Sequence, residues 1–238
     1  GSSGKKKMPA YASLWRYEDV EAVQDRCNHA RELGYNYIKL HEIFTPEVEA
    51  ARKILGDDIP IMVDTNCPWT KDQARQILSE WEDFNLYWVE EPINPPEDFE
   101  SLSHLRSESL IPIAAGENAC TSFEFKKMFE YAAVDYAQPS VTKVGGITEF
   151  KKIISVAETF GVQVMPHSPY FGPGFLATLH LSQSVPNSGL LERFFIDFEA
   201  YIYPEQIFNP KSGSFEIPNG IGLGFDPDKN VLKDYRVN

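Results

Sequence analysis

The chain has 238 residues, 35 of them acidic and 22 basic, so its formal net charge is -13 at pH 7. This length suits a single α/β barrel, which typically needs about 250 residues. The acidic balance and the lack of a long Lys/Arg run argue against nucleic acid or an anionic membrane as a partner. With three cysteines, no CxxC spacing and no apolar signal or membrane-spanning run, we expect a soluble, cytoplasmic protein.

Eight short apolar segments alternate with amphipathic stretches along the chain. In chain order they are PAYAS from Pro9, YNYIKLHE from Tyr35, IPIMVDTN from Ile59, LYWVEEP from Leu86, IPIAAGEN from Ile111, DYAQPS from Asp135, VQVMPHS from Val162 and LLERFF from Leu190. Their nearly continuous apolar character predicts parallel strands that are buried on both faces. Eight such segments favour a closed barrel, and no GxGxxG or GxxxxGK sequence follows any of them to indicate a nucleotide-binding open sheet.

The stretches between these segments carry helical patterns and helix-end signals. The first stretch places several apolar residues on one helical face: Val20, Val23, Cys27, Ala30 and Leu33. Helix starts are indicated by Thr45 as an N-cap followed by Pro46 at the first helical position, and by capping boxes at Thr70 with Gln73 and at Thr121 with Glu124. Gly34 and Gly161 stand where helices commonly end.

The alternation of strands and helices divides the chain into three parts. Residues 1–8 are interpreted as a leader or the remnant of a linker, and residues 9–196 as the barrel. From about Asp197 the alternation is lost and Pro, Gly, Asn and Asp become frequent. We therefore expect residues 197–238 to form an irregular tail that packs on the barrel or on a further domain.

Three acidic residues follow the third, fourth and fifth predicted strands. Asp64, Glu90 and Glu117 are separated by 26 and 27 residues, which is one strand-helix unit. Because parallel neighbouring strands end at the same face of a sheet, we expect these carboxylates to converge. Three converging carboxylates repel one another unless a cation binds, and a hard divalent ion such as Mg²⁺ takes oxygen ligands. Alternatively, each acid stabilises the start of the helix that follows it.

Five sequence strings, each one strand-helix unit from the next, make a family resemblance specific. They are VDTN at Val63, WVEEP at Trp88, AAGEN at Ala114, TKVGGITE at Thr142 and PHSPYFGPG at Pro166. Together they resemble the enolase superfamily, in its mandelate racemase and muconate lactonizing enzyme branch. The resemblance implies a (β/α)7β barrel, a separate capping domain that is largely absent from this chain, bound Mg²⁺ with Mn²⁺ as a substitute, and a homo-oligomer.

The same resemblance implies roles for residues near the expected metal site. Asp64, Glu90 and Glu117 match the Mg²⁺ ligands. Glu91 competes with Glu90, and the EEP string favours Glu90. Asn66 resembles a residue that contacts the substrate or supports the metal ligands, although Asn in such a loop is often a turn former.

Lys39 and His41 end the second predicted strand, where the family has a Lys-x-Lys pair. Strand alternation places both side chains toward the barrel axis. We expect Lys39 to hold the substrate carboxylate beside the metal, and His41 to act as the base in place of the second lysine.

His167 and Glu192 complete the expected site. His167 matches a histidine that acts on the opposite face of the substrate, but its usual aspartate partner is replaced here by Ser140. A hydroxyl orients an imidazole only by hydrogen bonding, so we favour His167 as an acid or donor and assign Ser140 to the substrate-binding residues. Glu192 resembles a glutamate that, when protonated, donates to the developing enolate; the alternative is a buried acid paired with Lys or Arg.

This set of residues implies abstraction of the proton on the carbon next to a carboxylate, with stabilisation of the resulting enediolate. We favour dehydration of a sugar acid to a 2-keto-3-deoxy acid, because an acidic His167 suffices for loss of a hydroxyl group. A racemase or epimerase of a hydroxy or amino acid is the alternative, and it needs a competent base on each face. A metal-binding barrel without catalytic activity is a second alternative.

Overall fold

A computed structural model describes residues 6–185 and 188–237 of the chain. All eight predicted strands are present within these residues, and a ninth follows them. The strands are β1 Lys7–Ser13, β2 Ile38–Leu40, β3 Ile61–Asp64, β4 Leu86–Glu90, β5 Ile113–Ala115, β6 Tyr136–Ala137, β7 Gln163–Val164, β8 Leu191–Phe194 and β9 Ser214–Glu216. Residues 1–5 of the predicted leader lie outside the described residues.

Helices connect consecutive strands and cover the outside of the sheet. They are α1 Val20–Glu32, α2 Thr45–Leu55, α3 Lys71–Glu80, α4 Phe99–Glu108, α5 Ser122–Glu130, α6 Ile147–Phe160, α7 Pro173–Ser184 and, after β9, α8 Lys229–Asp234. The helical face predicted for α1 is confirmed in its centre, where Val23, Cys27 and Ala30 are buried. Among the described helices, none is both long enough and apolar enough to cross a membrane.

The first eight strands form one curled, parallel sheet. Their order is β7-β6-β5-β4-β3-β2-β1-β8, so β8 returns to lie beside β1. Between β7 and the segment before β8, Val164 and Ser188 form an isolated bridge, and the Gly189 N–H donates to the Val164 carbonyl at 3.1 Å. The α/β class is thus confirmed, whereas the complete (β/α)7β closure stays a prediction.

A small apolar cluster lies inside the curl of the sheet, separate from the core between sheet and helices. It contains Tyr11, Met62, Trp88, Ala114, Met165 and Leu190, all buried. Met62 and Trp88 lie two residues before Asp64 and Glu90 in their strands, so they point to the same side of the sheet as those acids. The cluster therefore forms the floor beneath the carboxyl ends of the strands.

The predicted capping box is confirmed at α3; at α2, Pro46 lies in the first turn as predicted, but Thr45 is not the N-cap. Thr70 accepts from the Gln73 N–H, and the Gln73 side chain accepts from the Thr70 N–H, which completes the capping box. Helix α2 instead begins at Thr45, with Phe44 at the N-cap position. The Thr45 hydroxyl accepts from the Trp81 indole N–H at 3.1 Å, so a tertiary contact uses the group that was predicted to cap the helix.

The C-terminal segment is less irregular than predicted. Strand β9 pairs antiparallel with β1, with Phe215 opposite Met8. Phe215 is buried, and its ring centroid lies 4.9 Å from that of Phe175 in α7. Strand β1 begins at Lys7, two residues before the predicted start at Pro9, because this extension has β9 as a partner. The tail therefore packs on the strand-helix domain through apolar contacts.

Candidate active site

Two of the three predicted metal ligands are neighbours across adjacent strands. Asp64 ends β3, Glu90 ends β4, and the two residues lie directly opposite each other in the parallel register. Glu117 lies two residues beyond β5, where Gly116 turns the chain with a φ of +139°. One carboxylate oxygen from each of the three acids lies within 4.8 Å of the others. The convergence expected from their spacing is therefore present.

The donor set fits a hard divalent ion. All three ligands are carboxylates, which suit Mg²⁺. One oxygen of each acid lies within 4.8 Å of the other two, so these three residues could together hold one divalent ion.

Lys39 lies at the centre of the acidic cluster and is fully buried. Its ammonium is 3.1 Å from Asp64 Oδ2, 3.2 Å from Glu90 Oε1 and 3.1 Å from Glu192 Oε1. Burial alone lowers the pKa of Lys39, but the surrounding carboxylates outweigh burial and raise it well above its ordinary value. Lys39 is therefore charged, and it compensates acids that would otherwise repel one another.

The two adjacent acids respond differently to this environment. Burial raises the pKa of Asp64, but Lys39 and His41 outweigh it and hold that pKa below its usual range. Burial and the charge of Asp64 together raise the pKa of Glu90 well above its usual value. Glu90 also accepts from the Trp88 indole N–H at 3.1 Å. The pKa values of the two neighbouring acids are therefore shifted in opposite directions.

Glu192 has the environment of a paired, ionised carboxylate. Besides the contact with Lys39, its Oε1 accepts from the Ser13 hydroxyl at 2.7 Å, and its Oε2 accepts from the Ser168 N–H at 3.0 Å. Burial raises the pKa of Glu192, but the charges of Lys39 and His167 lower it by more. The pKa of Glu192 is therefore below its ordinary value. This is the arrangement of the alternative interpretation, a buried acid paired with lysine. Donation to an enolate would require Glu192 to take up a proton.

His41 is held with one ring nitrogen toward the acids. Its Nδ1 lies 2.5 Å from the Leu14 carbonyl oxygen, which can only accept, so Nδ1 carries a proton. Its Nε2 lies 3.3 Å from Asp64 Oδ2, the same oxygen that contacts Lys39. Lys39 and His41 therefore face one point, as strand alternation predicts.

His167 contacts a different member of the acidic triad. Its Nε2 lies 2.8 Å from Glu117 Oε2, and the Lys143 ammonium lies 3.0 Å from Glu117 Oε1. Burial raises the pKa of Glu117, but His167 and Lys143 outweigh it and lower the value to about 2. In strand order, His41 comes from the β2 side of the triad and His167 from the β7 side.

Asn66 and Ser140, the two predicted substrate-binding residues, both make contacts within the protein. The Asn66 backbone and side-chain N–H groups donate to Asp64 Oδ1 at 3.0 and 2.8 Å. Asn66 thus supports a predicted metal ligand. Ser140 is buried, and its hydroxyl lies 2.5 Å from the Tyr170 hydroxyl and 3.1 Å from that of Thr142.

Glu91, the competitor of Glu90, lies outside the triad. Its carboxylate accepts from the Asn118 side chain at 3.0 and 2.9 Å, and from the Cys67 thiol at 3.4 Å. Burial and the nearby Glu117 raise the pKa of Glu91 to about 7. The geometry therefore places Glu90, and not Glu91, with the other two acids.

Sequence reasoning assigned no role to three residues that contact the site: Arg16, Lys143 and Tyr170. Lys143 and Tyr170 lie within the strings TKVGGITE and PHSPYFGPG, so their position in those strings was an available signal. Arg16 follows β1 and donates to the His41 carbonyl, the Thr65 carbonyl and Asn66 Oδ1. It lines a cavity of about 530 Å³ beside the triad, together with Trp15, Tyr17, Glu18, His41, Asn66 and Phe194.

The chain belongs to the enolase C-terminal domain-like family, which its residues 22–231 match. This confirms the resemblance to the enolase superfamily. The chain is 30% identical to an arabinonate dehydratase of Saccharolobus solfataricus, with 98% of this chain and 64% of that protein covered.

Two solved structures show the same fold. The structure of an L-talarate dehydratase from Polaromonas sp. JS666, complexed with Mg and L-glucarate, is 29% identical with a TM-score of 0.85, covering 100% of this chain and 66% of the other. The structure of a 3,6-anhydro-D-galactonate cycloisomerase from Zobellia galactanivorans is 28% identical with a TM-score of 0.89, covering 99% and 68%. The chain spans between 48% and 64% of the length of three curated relatives.

Proposed function

We propose that this chain carries the catalytic domain of a Mg²⁺-dependent sugar-acid dehydratase, which converts a sugar acid to a 2-keto-3-deoxy acid. The observation that carries the proposal is the acidic triad with one histidine on each side of it. His41 lies 3.3 Å from Asp64, and His167 lies 2.8 Å from Glu117. The similarity to named dehydratases supports this assignment.

Asp64, Glu90 and Glu117 would hold the metal ion. When bound, Mg²⁺ supplies positive charge beside the substrate carboxylate, which makes the neighbouring C–H bond more acidic. Lys39 adds a second positive charge at the same place, and Glu192 anchors its ammonium from the other side. Mn²⁺ should substitute, since it takes the same oxygen ligands.

His41 is the base in this proposal. Because its Nδ1 proton is donated to the Leu14 carbonyl, the lone pair of a neutral His41 lies on Nε2, which faces the acids. Nε2 takes the proton from the carbon next to the carboxylate. The electrons of that C–H bond move into the enediolate, whose negative charge lies near Lys39.

His167 is the acid in this proposal. Its Nε2 proton is given to the hydroxyl group on the next carbon; the C–O bond breaks, and water leaves. The enol that results becomes the 2-keto-3-deoxy acid by taking up a proton. This sequence requires only proton donation from His167, so the serine at position 140 is compatible with it. Racemisation would require His167 to be a competent base as well.

A sugar-acid library incubated with the full chain and Mg²⁺ in D₂O tests the proposal. Formation of a 2-keto-3-deoxy acid, abolished in both Asp64→Asn and His41→Asn variants, is the expected result. Exchange of the proton next to the carboxylate without elimination would indicate an epimerase. Bound Mg²⁺ with neither exchange nor elimination on any acid would indicate a metal-binding barrel without activity.

A further inference from the structure

The cavity of about 530 Å³ beside the acidic triad has a volume within the range of small-molecule sites, roughly 300–1,000 Å³. Aromatic rings form part of its wall. The Trp15 and Phe194 ring centroids are 5.5 Å apart, and Phe194 meets the His41 ring edge to face at 6.3 Å. Because His41 lines this cavity and also contacts Asp64, the cavity is adjacent to the proposed base. It can therefore receive the part of a substrate that lies beyond the reacting carbons.

Arg16 supplies the permanent positive charge in the lining of this cavity. Its Nε donates to the His41 carbonyl at 2.5 Å, and its Nη2 donates to the Thr65 carbonyl at 3.1 Å and to Asn66 Oδ1 at 3.2 Å. All three acceptors are neutral oxygens, so none of them neutralises the guanidinium charge. Among the described residues, no acceptor forms a hydrogen bond with Nη1. The two N–H groups of Nη1 are therefore available to a ligand.

Asn66 connects Arg16 to the predicted metal site. Its Oδ1 accepts from Arg16 Nη2 at 3.2 Å, and its Nδ2 donates to Asp64 Oδ1 at 2.8 Å. A single amide group thus separates the guanidinium from a predicted Mg²⁺ ligand. A sugar acid whose first carboxylate lies beside the metal and Lys39 can span this separation with a chain of a few carbons.

The loop after β1, residues 14–18, holds Arg16 in place. Glu42 is buried, and its two carboxylate oxygens accept from the Tyr17 N–H at 2.8 Å and from the Glu18 N–H at 3.1 Å. Glu18 is the acidic side chain in the lining of the cavity, and it is exposed, so water and salt screen its charge. A guanidinium held by fixed acceptors on a fixed loop needs little reordering when it binds an anion, and this lowers the entropic cost of binding.

We propose that Arg16 is a specificity-determining residue: its Nη1 binds a second carboxylate at the far end of the substrate, so that the chain prefers sugar diacids to the corresponding monoacids. A carboxylate suits this position because it brings a negative charge to a guanidinium whose contacts within the protein are all neutral. A primary hydroxyl on the same carbon would accept a hydrogen bond but leave the positive charge unpaired. The position of the first carboxylate rests on the proposed function.

Isothermal titration calorimetry of the full chain with Mg²⁺ tests the proposal with matched pairs of ligands. The pairs are six-carbon sugar acids that differ only at C6, such as D-glucarate with D-gluconate and galactarate with D-galactonate. A His167→Asn background removes the proposed acid, so that bound ligands are not eliminated. The diacid of at least one pair should bind about tenfold more tightly than its monoacid, as expected for a hydrogen bond between charged groups. A preference for the diacid in no pair would overturn the proposal.

Arg16→Gln separates a role in recognition from a role in structure. If Nη1 binds the second carboxylate, the affinity for the diacid should fall about tenfold, to that for the monoacid, while the affinity for the monoacid changes less than about twofold. A purely structural role predicts equal weakening of both ligands, and that result would contradict the proposal. Arg16→Lys keeps the positive charge and should retain part of the preference for the diacid.

Arg31→Gln is the matched control. Arg31, in α1, also donates to neutral oxygens, those of the Ile54 carbonyl and the Asn28 side chain, but it does not line this cavity. Its replacement changes the net charge of the protein by the same amount as Arg16→Gln. The preference for the diacid should remain, and its loss in Arg31→Gln would show that overall charge, and not Arg16, sets the preference.

Turnover by the wild type distinguishes this proposal from the proposed function. Selective binding of a diacid, without proton exchange or elimination of any sugar acid, would support the role of Arg16 and contradict the proposed function. Elimination of the diacid and the monoacid of each pair with equal kcat/KM would support the proposed function and contradict the role of Arg16.

Discussion

Lys39 shows at the scale of one residue how the site tolerates so much negative charge. Its ammonium contacts three buried carboxylates, from Asp64, Glu90 and Glu192. Unlike an exposed ion pair, a buried one leaves an uncompensated charge behind when a single partner is removed. Lys39 therefore contributes to folding as well as to the proposed reaction.

Replacement of Lys39 by methionine should lower the free energy of unfolding of the metal-free protein by about 3–5 kcal/mol, because several buried carboxylates lose their counter-charge. Urea unfolding in EDTA measures the change. Lys53→Met is the matched control: Lys53 pairs with Glu49 on the exposed surface of α2, and its loss should cost less than about 1 kcal/mol. Equal effects of the two substitutions would show that Lys39 has no special structural role.

At the scale of elements, the loop after β5 determines where Glu117 lies. The register places Ala114, and not Glu117, opposite Glu90, so the chain must turn sharply after β5 to bring Glu117 back. Gly116 makes this turn with a φ of +139°. A side chain there would also meet the Gln138 backbone nitrogen at 2.9 Å and the Phe125 ring at 2.9 Å.

Gly116→Ala should therefore destabilise the protein by about 2–6 kcal/mol, the sum of backbone strain and overpacking. Gly145→Ala is the matched control, since Gly145 has a φ of +87° but no atom within 4 Å of its Cβ position. It should show only the strain, about 1–3 kcal/mol. Denaturant unfolding compares the two. If Gly116→Ala lowers the free energy of unfolding no more than Gly145→Ala does, the residues around Gly116 can rearrange to accommodate the added methyl group.

The capping box of α3 permits a prediction about a single helix. Thr70→Ala removes the hydroxyl that accepts from the Gln73 N–H, and should lower the free energy of unfolding by about 1 kcal/mol. Ser155→Ala, within α6, serves as the comparison, because its hydroxyl only donates to the Lys151 carbonyl of the preceding turn. Thermal or urea unfolding should show a lower free energy of unfolding for Thr70→Ala but not for Ser155→Ala. An unchanged stability of Thr70→Ala would contradict the role of Thr70 as the N-cap of α3.

For the whole molecule, the acidic triad should couple metal binding to stability. An ion that binds only the folded chain stabilises it, by about 2.7 kcal/mol at 100 times its Kd. For a chain of this size, that corresponds to a rise in Tm of roughly 5–10 °C. Differential scanning calorimetry in Mg²⁺ and in EDTA, at matched ionic strength, measures the rise. Asp64→Asn should abolish this rise in Tm. If the Tm of the wild type is the same in Mg²⁺ and in EDTA, the triad is not a metal site.

The sequence by itself determined the parts of this protein that depend on local pattern. Continuous apolar runs located all eight parallel strands, because a strand buried on both faces leaves little room for polar residues. The regular interval between Asp64, Glu90 and Glu117 predicted their convergence, since consecutive strand-helix units end at the same face. The alternation of Lys39 and His41 likewise anticipated their common contact with Asp64.

Only the tertiary structure decided features that depend on contacts between distant segments. The Thr45 hydroxyl accepts from the Trp81 indole N–H and does not cap α2. Part of the tail forms strand β9 beside β1, with Phe215 opposite Met8. Tyr170 lies between Ser140 and His167, and its contacts with these two residues were not predicted from the sequence. The physical reason is the same in each case. A hydrogen bond or apolar contact between residues far apart in sequence leaves no repeating pattern in the sequence, so it can be identified only in the folded structure.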